Sequence, residues 1–276
     1  MPPLPVFSES RRNPNISRRS SHSKNSSEHT RLLMTPLVTR QKKRRNNHSY
    51  IKMQQLPFRL IQKNKLTHDV YELIFTTQES VQVEPGQYTL FMLPKSKLRR
   101  AYSIGYTDGQ TFTFIIKQLE GGVGSTEICS LEIGGEIIGM TPLGHFVLKA
   151  NTTPKLFIGT GTGFAPLYFQ IRAMMDSGIE TPLLFLFGVR TSADIFYIDE
   201  LNRMKHMYPL FDYRIYLSQE DAENTVRGRV TDFLTKENVS SYGEFYLCGS
   251  PAMVKDAREK LEASGVEKEK VFFEQY

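Results

Sequence analysis

The chain has 276 residues, 35 Lys and Arg against 29 Asp and Glu, and two cysteines, a length that suits one large or two modest domains. No apolar run approaches the roughly 18 residues of a membrane-spanning helix, and Cys129 and Cys248 are too few for a disulfide framework or a four-thiolate cluster. The net charge of +6 is local: residues 1–52 hold 12 basic and two acidic residues, leaving 23 basic against 27 acidic in 53–276, so no nucleic-acid role is expected of the body.

Residues 1–52 are rich in Ser, Arg and Asn and have no apolar period, which predicts a disordered basic extension. Three readings compete for it: an organellar transit peptide, an electrostatic arm centred on Arg40 to Arg45, or a segment that is not part of the working protein, with the start at Met53.

From 53 to 150 the sequence reads as short strands. "FRLIQKNKL", "VYELIFTT", "GQYTLFML", "AYSIGYT", "TFTFIIKQL", "GEIIGMTP" and "HFVL" alternate or run apolar, and Gly and Pro punctuate them. Such spacing predicts a small antiparallel barrel or sandwich. Within it "RRAYSIG" places Arg100 and Tyr102 on one face of a strand and Ser103 on the other. "EGGVGST" (120–126) is a glycine-rich turn, with Ser125 and Thr126, suited to opening a short helix and holding a phosphate.

From 151 to 276 the grammar changes. Strand "KLFIGT", helix "PLYFQIRAMMDSG", strand "PLLFLFGV", helix "IFYIDELNRMKHMY" and strand "FDYRIYLS" lead to helix "VTDFLTKEN", strand "EFYLCG", helix "PAMVKDAREKLEASG" and strand "KVFFEQY". Strands alternating with helices predict a doubly wound parallel sheet, so the fold class is two-domain α+β, a β-barrel followed by an α/β domain. Ligands of such sheets bind beyond the carboxyl ends of the strands. There stand "GTGTGFAP" (159–166), whose glycines let a backbone approach an anion at a helix N-terminus, then Cys248 and Gly249, and Tyr276. Phe164 stands where a third glycine of G-x-G-x-x-G would be, and Arg190 replaces a ribose-binding acid, so an ordinary dinucleotide fingerprint is absent. A lone Cys248 reads equally as a small buried apolar residue.

Taken in order, R-x-Y-S (Arg100, Tyr102, Ser103), G-G-x-x-S-T (Gly121 to Thr126), G-T-G-T-G-x-A-P (Gly159 to Pro166), C-G-S-P (Cys248 to Pro251) and the closing E-x-aromatic (Glu274, Tyr276) resemble the ferredoxin–NADP reductase superfamily over 54–276. The resemblance implies an FAD-binding barrel and a nicotinamide-dinucleotide domain, with hydride passing from NAD(P)H to FAD. It implies that Tyr102 packs on the flavin ring with Tyr276 on the opposite face. It also implies that Arg100 and the amides of Gly122, Val123, Gly124 and Ser125, with Thr126 beside them, hold the flavin phosphates. Ser103 would bond near flavin N5 and exchange a proton with Glu274. Gly159, Thr160, Gly161, Thr162 and Gly163 would carry the NAD(P) pyrophosphate, and Cys248, with Gly249, would flank the nicotinamide together with Glu274.

The residues expected at the coenzyme's 2′-position fit less well. Ser218 is followed by Gln219, Glu220 and Asp221, while Arg190, Arg227 and Arg229 supply charge, so the choice between NADH and NADPH is open. No cysteine cluster is available for an iron–sulfur domain. Electrons are therefore expected to leave to a separate ferredoxin or flavodoxin, or to an oxygenase component, or to small quinone, ferric or flavin acceptors, with Lys95, Lys97, Arg99 and Arg100 as a local basic patch. A cytoplasmic monomer is expected, organellar if 1–52 is a transit peptide. An extension after Tyr276 would enter the space between flavin and nicotinamide.

Overall fold

The computed structural model describes residues 53–276, and the expectations for 1–52 lie outside the described residues. Six strands come first: β1 (Gln54–Lys65), β2 (Val70–Thr76), β3 (Tyr88–Met92), β4 (Arg99–Thr107), β5 (Thr111–Lys117) and β6 (Glu136–Leu143). They close in the order β1-β2-β5-β4-β3-β6, which leaves no free edge. Alternation drives the closure. Leu56, Phe58 and Leu60 of β1 and Phe112, Phe114 and Ile116 of β5 all point inward and are buried. Phe58, Phe75, Phe91 and Phe114 stack edge to face, with Phe58 and Phe91 at 5.1 Å between centroids. Gly139 makes room for this cluster, because a Cβ there would sit 2.7 Å from the Phe58 ring. A short helix, α1 (Val123–Cys129), plugs one side of the barrel with Ile128 and Cys129.

The second half alternates β7 (Lys155–Thr160), α2 (Phe164–Asp176), β8 (Leu183–Val189), α3 (Ile198–Met207), β9 (Phe211–Leu217), β10 (Val226–Arg227), α4 (Lys236–Val239), β11 (Glu244–Gly249), α5 (Pro251–Ala263) and β12 (Val271–Gln275). All pairs are parallel, in the order β10-β9-β8-β7-β11-β12. The near-continuous apolar strands are buried on both faces. Phe157, Phe185 and Tyr246 face α2 and α3, while Leu156, Ile158 and Leu247 face α5. Successive strands run outward from β7 to β10, and the chain then jumps to β11 on the other side. The topological switch therefore lies between β7 and β11, where Gly159 pairs with Cys248.

Helix α2 belongs to both cores. Phe164, Leu167 and Ile171 pack on the sheet, whereas Phe169 joins the barrel core and meets Tyr106 edge-on at 5.9 Å. Two further contacts fix the approach. Tyr197 donates its hydroxyl to the buried Glu72 of β2, and Gln170 Nε2 donates to Phe146 O at 2.7 Å. At the far end of β7 the fully buried Lys155 ammonium is satisfied by Glu244, Asn151 and the Thr153 carbonyl, which pins the connection between barrel and sheet.

Four local expectations are corrected. "HFVL" is not a strand: Phe146 turns into the sheet-side core and spends its carbonyl on Gln170. The helix expected from Ile195 begins at Ile198, because Tyr197 sits at φ 62°, a left-handed conformation that a right-handed helix cannot continue through. "VTDFLTKEN" is a helical turn (Val230–Phe233) and then α4, restarted by Thr235, whose hydroxyl caps the Asn238 amide. The two-residue β10 adds a sixth strand where five are expected.

Candidate functional site

The carboxyl edge of the sheet opens on a crevice of about 720 Å³. Thr160, Gly161 and Thr162 line it after β7, Arg190 after β8, Ser218 and Gln219 after β9, and Tyr276 beyond β12. Gly161 has φ 53° and open space where a Cβ would project. The N-terminus of α2 carries neither a side-chain cap nor an acid in its first turn. Its partial positive charge is thus offered to the crevice, as an anionic ligand requires. Thr231 Oγ1, buried on the same wall, has no hydrogen-bond partner among the described residues.

Other expected dinucleotide residues stand elsewhere. Gly159 and Gly163 serve close packing: a Cβ on Gly163 would lie 2.2 Å from Cys248 O. Thr160 lines the crevice, but its hydroxyl accepts from Ser250 N at 3.4 Å and ties β7 to the end of β11. Arg227 is exposed on β10 and does not line the crevice. Cys248 is fully buried, and burial, then the nearby Glu274 charge, pushes its thiol well up, so it stays a neutral thiol. Tyr276 is 59% exposed, but its hydroxyl donates to Thr160 O at 3.0 Å and accepts from Thr162 Oγ1 at 3.1 Å.

On the barrel, β4 sets out the other group of residues. Tyr102 lies half-buried beside Phe91, and burial pushes its phenol up to about 12, which keeps it neutral. Arg100 is exposed, and its stem crosses Gly124 of α1 so closely that a Cβ there would meet Nε at 2.8 Å. An open groove runs past Gly121, Gly122, Val123 and Thr126. The Ser125 hydroxyl does not face it: this oxygen accepts from Leu119 N at 2.9 Å and donates to Gly122 O, holding the turn together. Only its amide remains for a ligand.

At the carboxyl edge of the sheet a side-chain bond joins the two halves. Ser103 Oγ on β4 donates to Glu274 Oε2 on β12 at 3.2 Å. Glu274 pairs in register with Cys248 of β11, so Ser103, Glu274 and Cys248 stand together at the carboxyl edge of the sheet. Burial raises the Glu274 carboxyl above its ordinary value, and the Ser103 bond pulls back only in part. The sequence does not reveal the barrel's side of the crevice. Lys117 at the end of β5 binds Asp69 at 2.7 Å, and His68 sits 3.3 Å from the same carboxylate. The only signal for Lys117 is a charge ending the apolar run "TFTFIIK".

The model of the oxidoreductase FAD-binding domain matches residues 57–148, and that of the oxidoreductase NAD-binding domain matches 157–259. The chain belongs to the FAD- and NAD-binding oxidoreductases of the ferredoxin reductase family. Within that family it is 34% identical over 205 residues to the propane 2-monooxygenase reductase component of Mycolicibacterium goodii, covering 70% of this chain and 59% of the relative. It is 31% identical over 197 residues to the toluate 1,2-dioxygenase electron transfer component of Pseudomonas putida, covering 70% and 58%. The chain thus spans under two thirds of the length of these relatives. Among solved structures, the Amycolatopsis cytochrome P450 reductase GcoB aligns with a TM-score of 0.77 at 25% identity, covering 81% of this chain and 70% of that one. The barrel and the sheet are the FAD-binding and NAD-binding domains of this family. No helix among the described residues is long and apolar enough to cross a membrane.

Proposed function

We propose that this chain is an electron-transfer reductase that takes hydride from NAD(P)H onto FAD and passes the electrons to a ferredoxin-type protein or an oxygenase component. The observation that carries the reading is the Ser103–Glu274 bond, because it joins the flavin-side strand to the nicotinamide-side strand at the topological switch. The relatives' printed roles as reductase and electron transfer components of oxygenase systems favour that class of acceptor.

The residues present suit both cofactors. Arg100 and the α1 amides offer a charge and backbone donors for the flavin phosphates, across a glycine where an added Cβ would meet the Arg100 side chain. Gly161, Thr162 and the uncapped α2 offer the same for a coenzyme diphosphate. When bound, the cofactors supply the hydride chemistry, and the protein supplies position and electrostatics. In this reading Tyr102 offers the flavin an aromatic face, and Tyr276 covers the position that the nicotinamide must take. Cys248 is buried at the end of β11, in register with Glu274. Ser103 and Glu274 hold a proton at Oγ and Oε2, next to the reacting groups. We place the boundary between the FAD and NAD domains at 150/151, and a reducing compartment such as the cytoplasm suits two unpaired cysteines.

The test is direct. The purified full chain is expected to be yellow, or to become so with FAD, and to bleach anaerobically with NADH or NADPH. A protein that takes up no FAD would overturn the reading. Arg100→Ala is expected to weaken FAD binding about 10- to 100-fold, the loss of one charge-assisted phosphate contact, as read by flavin retained on gel filtration.

A further inference from the structure

We infer that Glu127 is a positioning residue that favours FAD over FMN: it locks the turn between β3 and β4 onto α1 and so builds the groove that takes the adenylate end of the flavin. The inference rests on the flavin reading of the barrel and adds the residue that shapes the far end of that site.

Strand β4 orders the parts of the cofactor. Ser103 stands at the crevice end, bonded to Glu274, with Tyr102 next to it. Arg100 lies two residues further back on the face of Tyr102, about 7 Å away along the strand. A flavin with its ring on Tyr102 and its phosphate on Arg100 therefore points its remaining end past Arg99, where β4 leaves the turn 93–98. FMN ends at its single phosphate, whereas FAD continues into a second phosphate and adenosine. An open groove of about 740 Å³ lies there, between Lys95 and Ser96 of the turn and Thr126, Glu127 and Ser130 of α1.

The turn closes on itself through its own backbone. Leu93 N donates to Leu98 O at 2.9 Å and Lys97 N to Leu93 O at 3.1 Å, with Lys97 at φ 58°. The amides of Lys95 and Ser96 are spent on α1 instead. Glu127 Oε1 accepts from Lys95 N at 2.5 Å, and Oε2 accepts from Ser96 N at 3.1 Å. Glu127 follows Gly124 by three residues, so the two share a face of the helix, and Gly124 is where the Arg100 stem crosses. One helix face thus meets both Arg100 and the turn. The Glu127 side chain is buried, which works against its charge, yet the bonds from Ser96 and Lys95 hold the carboxyl below its ordinary value. A fixed anion here sets the distance between turn and helix, and that distance is the width of the groove.

The experiment uses the full-length protein, stripped of flavin and titrated calorimetrically with FAD and with FMN. The wild type is expected to bind FAD about tenfold or more tightly than FMN, because only FAD reaches the groove. Glu127→Ala should weaken FAD about 10- to 100-fold and FMN less than about threefold, since it removes two charge-assisted bonds from the groove wall. Glu127→Gln keeps one acceptor oxygen and should restore part of the preference. A second measurement needs no variant: trypsin cuts after Lys95 and Lys97 in the turn, and FAD should protect both sites where FMN does not. A wild type that binds both flavins equally would overturn the assignment. So would a Glu127→Ala protein that loses both affinities alike, as a purely structural residue would, or equal protection of the turn by FAD and FMN. Uptake of neither flavin would instead sink the flavin reading of the barrel, and this assignment with it.

Discussion

Glu274→Gln is expected to slow reduction of bound flavin by the coenzyme about a hundredfold, the scale of a lost proton-transfer group, while flavin content stays unchanged. The carboxyl lies on β12 beside Cys248, takes no part in either domain core, and spends Oε2 on the Ser103 hydroxyl of the flavin-side strand. Gln preserves shape and one acceptor oxygen but can neither take up nor release a proton. Rapid mixing of the oxidised protein with excess NADH or NADPH reads the rate, and the absorbance of the starting protein reads flavin content. Equal loss of both would make Glu274 a structural residue. Cys248→Ala should also slow flavin reduction more than it lowers flavin content, because Cys248 stands in register with Glu274 at the carboxyl edge of the sheet.

The same residue predicts a pH signature. Burial raises the Glu274 carboxyl, so the folded protein holds this proton more tightly than the unfolded chain does. The stability it contributes is complete below the ordinary Glu value, about 4.3, and is lost as pH rises through the raised folded value. Glu274→Gln should remove this dependence, so the difference in unfolding midpoint between variant and wild type should grow in the variant's favour as pH rises across that window.

Much of this arrangement is legible in the sequence because periodicity and glycine placement carry it. Alternation in "TFTFIIK" and "FRLIQKNKL" marks barrel strands, and the apolar runs "KLFIGT" and "EFYLCG" mark strands covered on both faces. What is not legible depends on partners distant in sequence. Tyr197 looks like helix until Glu72, 125 residues earlier, anchors its hydroxyl and the backbone turns left-handed. Ser125 looks like a phosphate ligand until Leu119 N claims its oxygen. His68, Asp69 and Lys117 belong to the crevice only because α2 ties the barrel against the sheet, a contact that no local pattern encodes.

Gly163→Ala is expected to cost more than about 3 kcal/mol of stability, beyond ordinary overpacking. In the sequence the three glycines of "GTGTG" look alike, each giving an anion access to the backbone. The structure assigns them different tasks. Gly161 has a positive φ and nothing within 4 Å of an added Cβ, so its value is conformational. Gly163 has an ordinary helical φ of −58°, so strain is no obstacle there. Its obstacle is backbone: an added Cβ would lie 2.2 Å from Cys248 O, 2.5 Å from Cys248 C and 2.8 Å from Gly249 N. None of these atoms can rotate out of the way as a side chain tip would. To admit one methyl group, α2 must lift from the end of β11, and α2 carries Phe164 in the sheet core and Phe169 in the barrel core. Loosening at this point therefore spreads to both domains. Urea unfolding followed by flavin absorbance and by far-ultraviolet circular dichroism should show both transitions shifted together to lower midpoint. The control is Gly161→Ala, which has space for the methyl and meets only the penalty of its left-handed backbone, about 1–2 kcal/mol. If Gly163→Ala were as mild as this control, the close crossing of α2 over β11 would not be what holds the two domains at the switch point.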